Sequence, residues 1–304
     1  MDLYLITGFL GAGKTTFLKN FIRLFAEQRL YLIINEFGKV GVDGALLRET
    51  GTVLSEINNG SIFCACRLEQ FEHVLENAVS EQPDVIIVEA SGLSDPTSIR
   101  KMLSNEKYAA IHYKGSICLV DAVRFEKVVS TARVCPKQLV ISSLVVINKT
   151  DLVSEEQLNT VISRIRSIHP AVTVVNTSFG QVEKEWLRYI CPQAAVDDIT
   201  HRADITLQKS CITVLPHMRI QQLQHFLTMF AEDTYRIKGF VFLENQTLLV
   251  DCVGPYVQIV PYTRTTDHME DINQIVALAG AGMPLRKSLQ KAIEWYGEYI
   301  GKID

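Results

Sequence analysis

Gly8-Phe9-Leu10-Gly11-Ala12-Gly13-Lys14-Thr15-Thr16 follows directly on the apolar run Leu3–Ile6 and leads into a helix-like stretch, Thr16–Phe25. It satisfies G-x-x-x-x-G-K-[ST] at every fixed position, between a strand signal and a helix signal. Gly8, Gly11, Ala12 and Gly13 leave backbone N–H groups able to curl around a phosphate chain, and the following helix adds its positive end. Lys14 is placed to reach β- and γ-phosphate oxygens, the Thr15 hydroxyl to bind Mg²⁺, and Thr16 completes the binding set. The alternative, a Gly-rich turn that only joins strand to helix, leaves Lys14 and Thr15 unexplained. This segment is expected to bind a nucleoside triphosphate.

Three more segments narrow the nucleotide to GTP. Asn148-Lys149-Thr150-Asp151 closes the apolar run Leu144–Ile147, where a strand should end. A carboxylate there accepts from guanine N1–H and the exocyclic amine, donors that adenine does not pair in that way. An acceptor left unpaired costs about 1–3 kcal/mol, which makes Asp151 the discriminator. Asn148 and Lys149 would brace the base and the phosphate loop. The competing reading is a helix N-cap at Asp151. In Asp84-Val-Ile-Ile-Val-Glu89-Ala-Ser-Gly92, four apolar residues carry Glu89 to a strand tip. Glu89 could act on Mg²⁺ through water or position the attacking water, and Gly92 lets the chain approach the γ-phosphate. Lys14, Glu89 and Gly92 are the expected catalytic set, while Asp84 reads as structural. Asn35-Glu36-Phe37-Gly38 offers Glu36, with Asp43 beyond it, as a metal-sensing carboxylate or as a cap or solvated charge.

Apolar runs at Tyr4–Ile6, Tyr31–Ile34, Val85–Val88, Ser116–Val120, Leu144–Ile147 and Val172–Val175 alternate with helix patterns such as Leu68–Ser80 and Glu155–Ile168. Such runs suit parallel strands buried on both faces. The expected fold class is α/β, a doubly wound and mostly parallel sheet over residues 1–195. After a polar, Pro-containing break near Cys191–Arg202, a smaller α+β domain is expected over 203–304. Its strand candidates are Cys211–Val214, Ile237–Leu243, Gln246–Cys252 and Tyr256–Pro261, its helices Ile220–Ala231 and roughly Pro284–Tyr299, with Lys238–Phe242 read as core.

The chain has 304 residues, 47% hydrophobic and 21% charged, with a formal charge of −4. That balance gives no global attraction to nucleic acid or an anionic membrane, and no apolar stretch reaches the length of a membrane span. A strand beginning within three residues of Met1 leaves no room for a signal peptide. Seven scattered cysteines do not read as a disulfide framework, so a reducing cytoplasm is expected.

Together these segments resemble the CobW family of GTPases, relatives of the urease and hydrogenase nickel-insertion GTPases. The resemblance rests on Gly8–Thr16, Asn35-Glu-Phe-Gly38, Asn58-Asn59-Gly60, Glu89-Ala-Ser-Gly-Leu-Ser-Asp-Pro96, Val120-Asp121-Ala122 and Asn148–Asp151, with Arg236-Ile-Lys-Gly-Phe240 similar to the family's second domain. It implies a GTP-hydrolysing metallochaperone, or an activator of a metal- or cobalamin-dependent client. Related GTPases often form a nucleotide-dependent homodimer. The family usually carries Cys-x-Cys-Cys directly after Asn-Gly, a compact site for Zn²⁺ or another transition metal. This chain reads Ser61-Ile-Phe-Cys64-Ala-Cys66 instead. Cys64 and Cys66 supply two thiolates of a tetrahedral set, to be completed by Glu36, a histidine or a partner; His73 and His112 have no supporting pattern. Alternatively the loop has lost its metal. The family's C-terminal His-rich tract is also missing. Three functions stay open: metal delivery, GTP-driven activation of a corrinoid protein with no metal of its own, and a regulatory nucleotide module without turnover. A small-molecule kinase seldom needs guanine-reading residues.

Overall fold

β-Branched and aromatic residues alternate between two cores along the first strands, which is how the sheet comes to be covered on both sides. In β1 (Asp2–Gly8), Tyr4 and Ile6 enter one apolar cluster while Leu3 and Leu5 enter the other. β2 (Leu30–Glu36) and β4 (Val85–Glu89) split in the same way. The structure is a computed structural model, and it describes residues 1–36, 53–58, 68–193, 208–262, 272–280 and 282–304. The chain divides into two compact units, Met1–Ala203 and Asp204–Asp304.

In the first unit the described strands form one seven-stranded sheet of order β3-β2-β4-β1-β5-β6-β7, every pairing parallel. Its remaining members are β3 (Val53–Asn58), β5 (His112–Asp121), β6 (Leu144–Asn148) and β7 (Thr173–Asn176). The doubly wound α/β expectation is met. One core takes Phe17, Leu18 and Phe21 from α1 (Lys14–Phe21), and the other takes Phe71, Leu75 and Ala78 from α2 (Leu68–Ser80). Phe17 and Phe21 stack at 5.6 Å, and Tyr4 meets Phe21 edge-on at the same separation. The helix expected over Thr16–Phe25 is α1 followed by a tighter 3₁₀ turn, Ile22–Phe25. Asp84 accepts from the Arg29 backbone N–H at 2.8 Å, a structural tie whose hydrogen bonds hold its carboxyl below the usual carboxylate range.

The helices that matter to the site are the short α3 (Ile99–Leu103), α4 (Phe125–Thr131) and α5 (Val134–Val140), together with α6 (Glu155–Ile168). α6 opens on a capping box in which Ser154 Oγ accepts from Gln157 N–H and Gln157 Oε1 accepts from Ser154 N–H, at 3.2 and 2.9 Å. Ser154 therefore caps α6, and Asp151 is left for another task.

The second unit is an antiparallel sheet of order β11-β10-β9-β12-β8-β13. In chain order its elements are β8 (Gln208–Val214), α7 (Ile220–Thr228), β9 (Arg236–Leu243), β10 (Gln246–Val253), β11 (Tyr256–Pro261), β12 (Gln274–Ala279), α8 (Leu285–Tyr296) and β13 (Ile300–Ile303). β9 and β10 turn through Glu244 and Asn245 at φ 49° and 62°, the left-handed pair that suits a two-residue hairpin. Phe226 of α7 is buried between Phe230 and Tyr296, at 5.1 and 6.0 Å. The reading of Lys238–Phe242 as core needs correction at Phe242, which is 43% exposed. The strand alternates, so the inward face belongs to Ile237, Val241 and Leu243.

Candidate functional site

A parallel sheet delivers all its strand C-termini to one edge, and in the first unit that edge carries Gly8, Glu89, Asp121, Asn148 and Asn176 in neighbouring registers. The loop after β1 turns there. Gly13, at φ 95°, precedes α1, and a Cβ at that position would overlap the Asn148 side-chain amide. Only glycine satisfies both the left-handed backbone and that approach. Lys14 is buried, its Nζ donating to the carbonyl oxygens of Gly8 (2.8 Å) and Phe9 (3.2 Å), which holds the ammonium over the loop.

Thr15 Oγ1 donates to Glu89 Oε1 at 3.2 Å, joining the first turn of α1 to the tip of β4. Glu89 is 5% exposed, so this carboxylate is held among protein dipoles rather than in bulk water. A hydroxyl and a carboxylate side by side are hard oxygen donors and fit Mg²⁺. Just beyond, Gly92 lies so close to the phosphate loop that a Cβ would come within 2.6 Å of Leu10 N. A side chain there would push the two loops apart.

Asn148 is buried and spans two loops. Its Nδ2 donates to Ala12 O and its Oδ1 accepts from Gly180 N–H, both at 3.0 Å. Lys149 takes a left-handed conformation, φ 63°, and its ammonium pairs with Asp121 Oδ2 at 2.5 Å. Asp121 also accepts from Val123 N–H at 2.9 Å, so the carboxylate that anchors Lys149 is itself fixed. Asp151 sits exposed in the 3₁₀ turn Thr150–Leu152. Its N–H donates to Ser178 Oγ at 3.2 Å, and Thr150 Oγ1 donates to Thr177 O at 3.0 Å. The Asp151 carboxylate is thus free of a capping duty and carried by a braced turn.

The segment Thr177–Gly180 escaped the sequence reading, although it completes this brace. Its signal was the turn-type Ser178-Phe179-Gly180 directly after a strand. Glu36 closes β2 opposite Asn58 in the sheet register. The side chains of Glu36 and Asn58, and all of Asp43, Asn59, Gly60, Cys64 and Cys66, lie outside the described residues. Among the described residues no group of three or more His, Cys, Asp or Glu is placed to hold a metal ion. His73 and His112 are exposed, and His112 faces Asp2 at 3.8 Å. Of the other cysteines, Cys118, Cys135 and Cys252 are buried, Cys211 is half-buried and Cys191 is exposed. No described helix is long and apolar enough to cross a membrane.

Comparison with known proteins adds three findings. Residues 2–176 match the CobW/HypB/UreG nucleotide-binding domain. The zinc chaperone YjiA of Escherichia coli K12 is 31% identical over 181 residues, 57% of each chain, and the zinc chaperone CobW of a Sinorhizobium species is 31% identical over 194 residues, 53% of this chain and 54% of that one. The chain thus spans about half the length of the curated relatives it matches. The solved structure of Zn(II)-bound YjiA GTPase from E. coli superposes with a TM-score of 0.50 at 20% identity, covering 97% of this chain and 98% of the other, a likeness of fold.

Proposed function

The chain belongs to the CobW/HypB/UreG family, and from that premise we propose that it is a Mg²⁺-dependent GTPase that couples its nucleotide state to delivery of a metal ion to a client metalloprotein. The observation that carries the reading is the meeting of Lys14, Thr15 and Glu89 with the Asn148–Asp151 turn along one sheet edge. Lys14, Thr15 and Glu89 bear on phosphate and its Mg²⁺, and the turn bears on guanine. An ATP-binding or kinase site requires no carboxylate set like that of Asp151.

GTP would lie along the Gly8–Thr16 loop, with Lys14 exchanging its carbonyl partners for phosphate oxygens and Asp151 accepting from the guanine edge. Thr15, helped by Glu89, would hold Mg²⁺, which supplies neutralisation of charge on the β- and γ-oxygens. Gly92, against Leu10, sets how closely the following loop approaches the γ-phosphate. Glu89 orients the attacking water. Catalysis by positioning and charge neutralisation predicts slow turnover until a partner completes the site.

Zinc is the first candidate cargo, because the relatives YjiA and CobW are zinc chaperones and because thiolates suit it. Cys64, Cys66 and Glu36 are the proposed ligands. We assign residues 1–195 to the GTPase domain and 203–304 to a CobW-like C-terminal α+β domain, place the protein in the cytoplasm, and expect GTP to favour a homodimer. The loss of two of the family's three thiols, at Ser61 and Phe63, favours one second reading, in which the chain activates a corrinoid-dependent client and carries no metal.

Calorimetric titration with GTP and ATP, each with Mg²⁺, tests the nucleotide reading: heat with GTP alone supports it, and no heat or equal heats refute it. Zinc titration of the GTP- and GDP-bound forms then separates the two cargo readings. Zinc affinity that depends on the nucleotide and disappears in a Cys64→Ser, Cys66→Ser double variant supports delivery. No zinc binding in either form supports the activator.

A further inference from the structure

Gln138 is fully buried in α5, at the centre of no sequence motif. Its Nε2 donates to two backbone carbonyls of the loop that follows Glu89, Gly92 O at 3.3 Å and Ser94 O at 3.0 Å. Its neighbour Lys137 pairs with Asp95 of the same loop at 2.5 Å. The buried Asn35 near the end of β2 holds the same loop, accepting through Oδ1 from Ser91 N–H and Ser94 Oγ–H, both at 3.3 Å. Two buried amides therefore hold Ser91–Ser94, with Gly92 pressed against the phosphate loop at Leu10.

Gln138 Oε1 is buried and has no hydrogen-bond partner among the described residues. The amide is therefore held by its donors, and an apolar residue in its place would leave Gly92 O and Ser94 O without this partner. The donors of Gln138 are what the loop uses.

We infer that Gln138 is a positioning residue for GTP hydrolysis, fixing the Gly92–Ser94 backbone at the γ-phosphate while Asn35 ties the same loop to the strand end that leads into Glu36. This rests on the GTPase reading above and adds to it a residue that touches no substrate. Misplacing a reacting group by an ångström costs about 100-fold in rate, so a loosened Gly92 loop should register in kcat before it registers in binding.

The test is Gln138→Met, which keeps the volume and removes both donors. The full-length variant is compared with the parent for GTP turnover and for affinity towards GDP and GDP–aluminium fluoride, the latter standing in for the transferring phosphoryl group. Expected are a fall in kcat of about 10-fold or more with KM for GTP within threefold, a matching loss in GDP–aluminium fluoride affinity and unchanged GDP affinity, beside a lower melting temperature from the two carbonyls that lose their donor. Asn35→Ala, which removes the loop's other buried amide, serves if Gln138→Met does not fold and should show the same split. Wild-type kcat in the variants overturns the inference, as does an equal loss of GDP and GDP–aluminium fluoride affinity, the mark of a merely structural role. A parent chain that hydrolyses no GTP overturns the GTPase reading and this inference with it. Turnover in the parent beside an unchanged variant overturns this inference alone.

Discussion

The two units each bury an apolar core, with opposite sheet logic. In Met1–Ala203 the described strands all run the same way, so the residues that end them gather on one edge: Gly8, Glu89, Asp121 and Asn148 become neighbours although they are far apart in sequence. In Asp204–Asp304 adjacent strands alternate, which sends successive turns to opposite edges. The second sheet has a buried core, and its strand ends do not share one edge. Strand direction, more than composition, decides which unit can assemble a site from distant segments.

The largest effect should come from the core of the second unit. Phe226→Ala deletes a ring packed on Phe230 and Tyr296 and should cost about 3–5 kcal/mol. Calorimetry should show the second unit melting early while the first still binds GTP; loss of GTP binding at a temperature where the first unit stays folded would break the division of labour. Next, Lys14→Ala should lower GTP turnover about 100-fold or more, the scale set by removing one preorganised charge or donor at a transition state, with little change in circular dichroism. Retained turnover would show that the buried ammonium serves only the Gly8 and Phe9 carbonyls.

Asp151→Asn should cut the preference for GTP over ATP by roughly 10- to 100-fold, the 1–3 kcal/mol attached to a mismatched polar pair, with the ratio of the two dissociation constants as readout. An unchanged ratio would move guanine reading elsewhere on the edge.

The smallest effect sharpens the comparison through pH. Burial pushes the Cys135 thiol, and likewise Cys252, up to about 12, and raises Cys118 strongly. Because the fold prefers each thiol protonated, the stability it contributes is complete below the ordinary thiol value near 9 and is lost as pH rises from there towards 12. Two of these thiols lie in the first unit and one in the second. The first unit's melting temperature should therefore fall more steeply between pH 8.5 and 10.5, and replacing Cys118 and Cys135 with Ala should flatten that slope. A slope unmoved by the replacement would assign the alkaline loss to other groups.

What the chain reveals in one dimension varies by element for physical reasons. β1, β2, β4, β5 and β6 are buried on both faces and read as continuous apolar runs. β3 escaped because Val53-Leu-Ser-Glu-Ile-Asn58 holds neither a continuous apolar run nor a strict alternation; it lies at the edge of the described sheet, paired with β2. β12 and β13 escaped for other reasons: Gln274–Ala279 reads Gln-Ile-Val-Ala-Leu-Ala, half of it Ala and Leu, which favour helix as much as strand, and Ile300–Ile303 is too short to show a period.

Of the candidate site, the segments proposed to meet a ligand through backbone or charge were legible, because such contacts demand particular residues at fixed spacing. Gly8–Thr16 and Asn148–Asp151 are of this kind. The residues that hold those segments in place were not. Gln138, Asn35's grip on Ser91 and Ser94, and the Thr150–Ser178 brace are ordinary polar residues whose partners lie tens of positions away. Local chemistry was enough to name a parallel sheet and to propose a phosphate loop and a base reader; the loops that bear on one another, and the buried amides that fix their spacing, came from folding alone, because a hydrogen bond between distant segments leaves no periodicity in the chain.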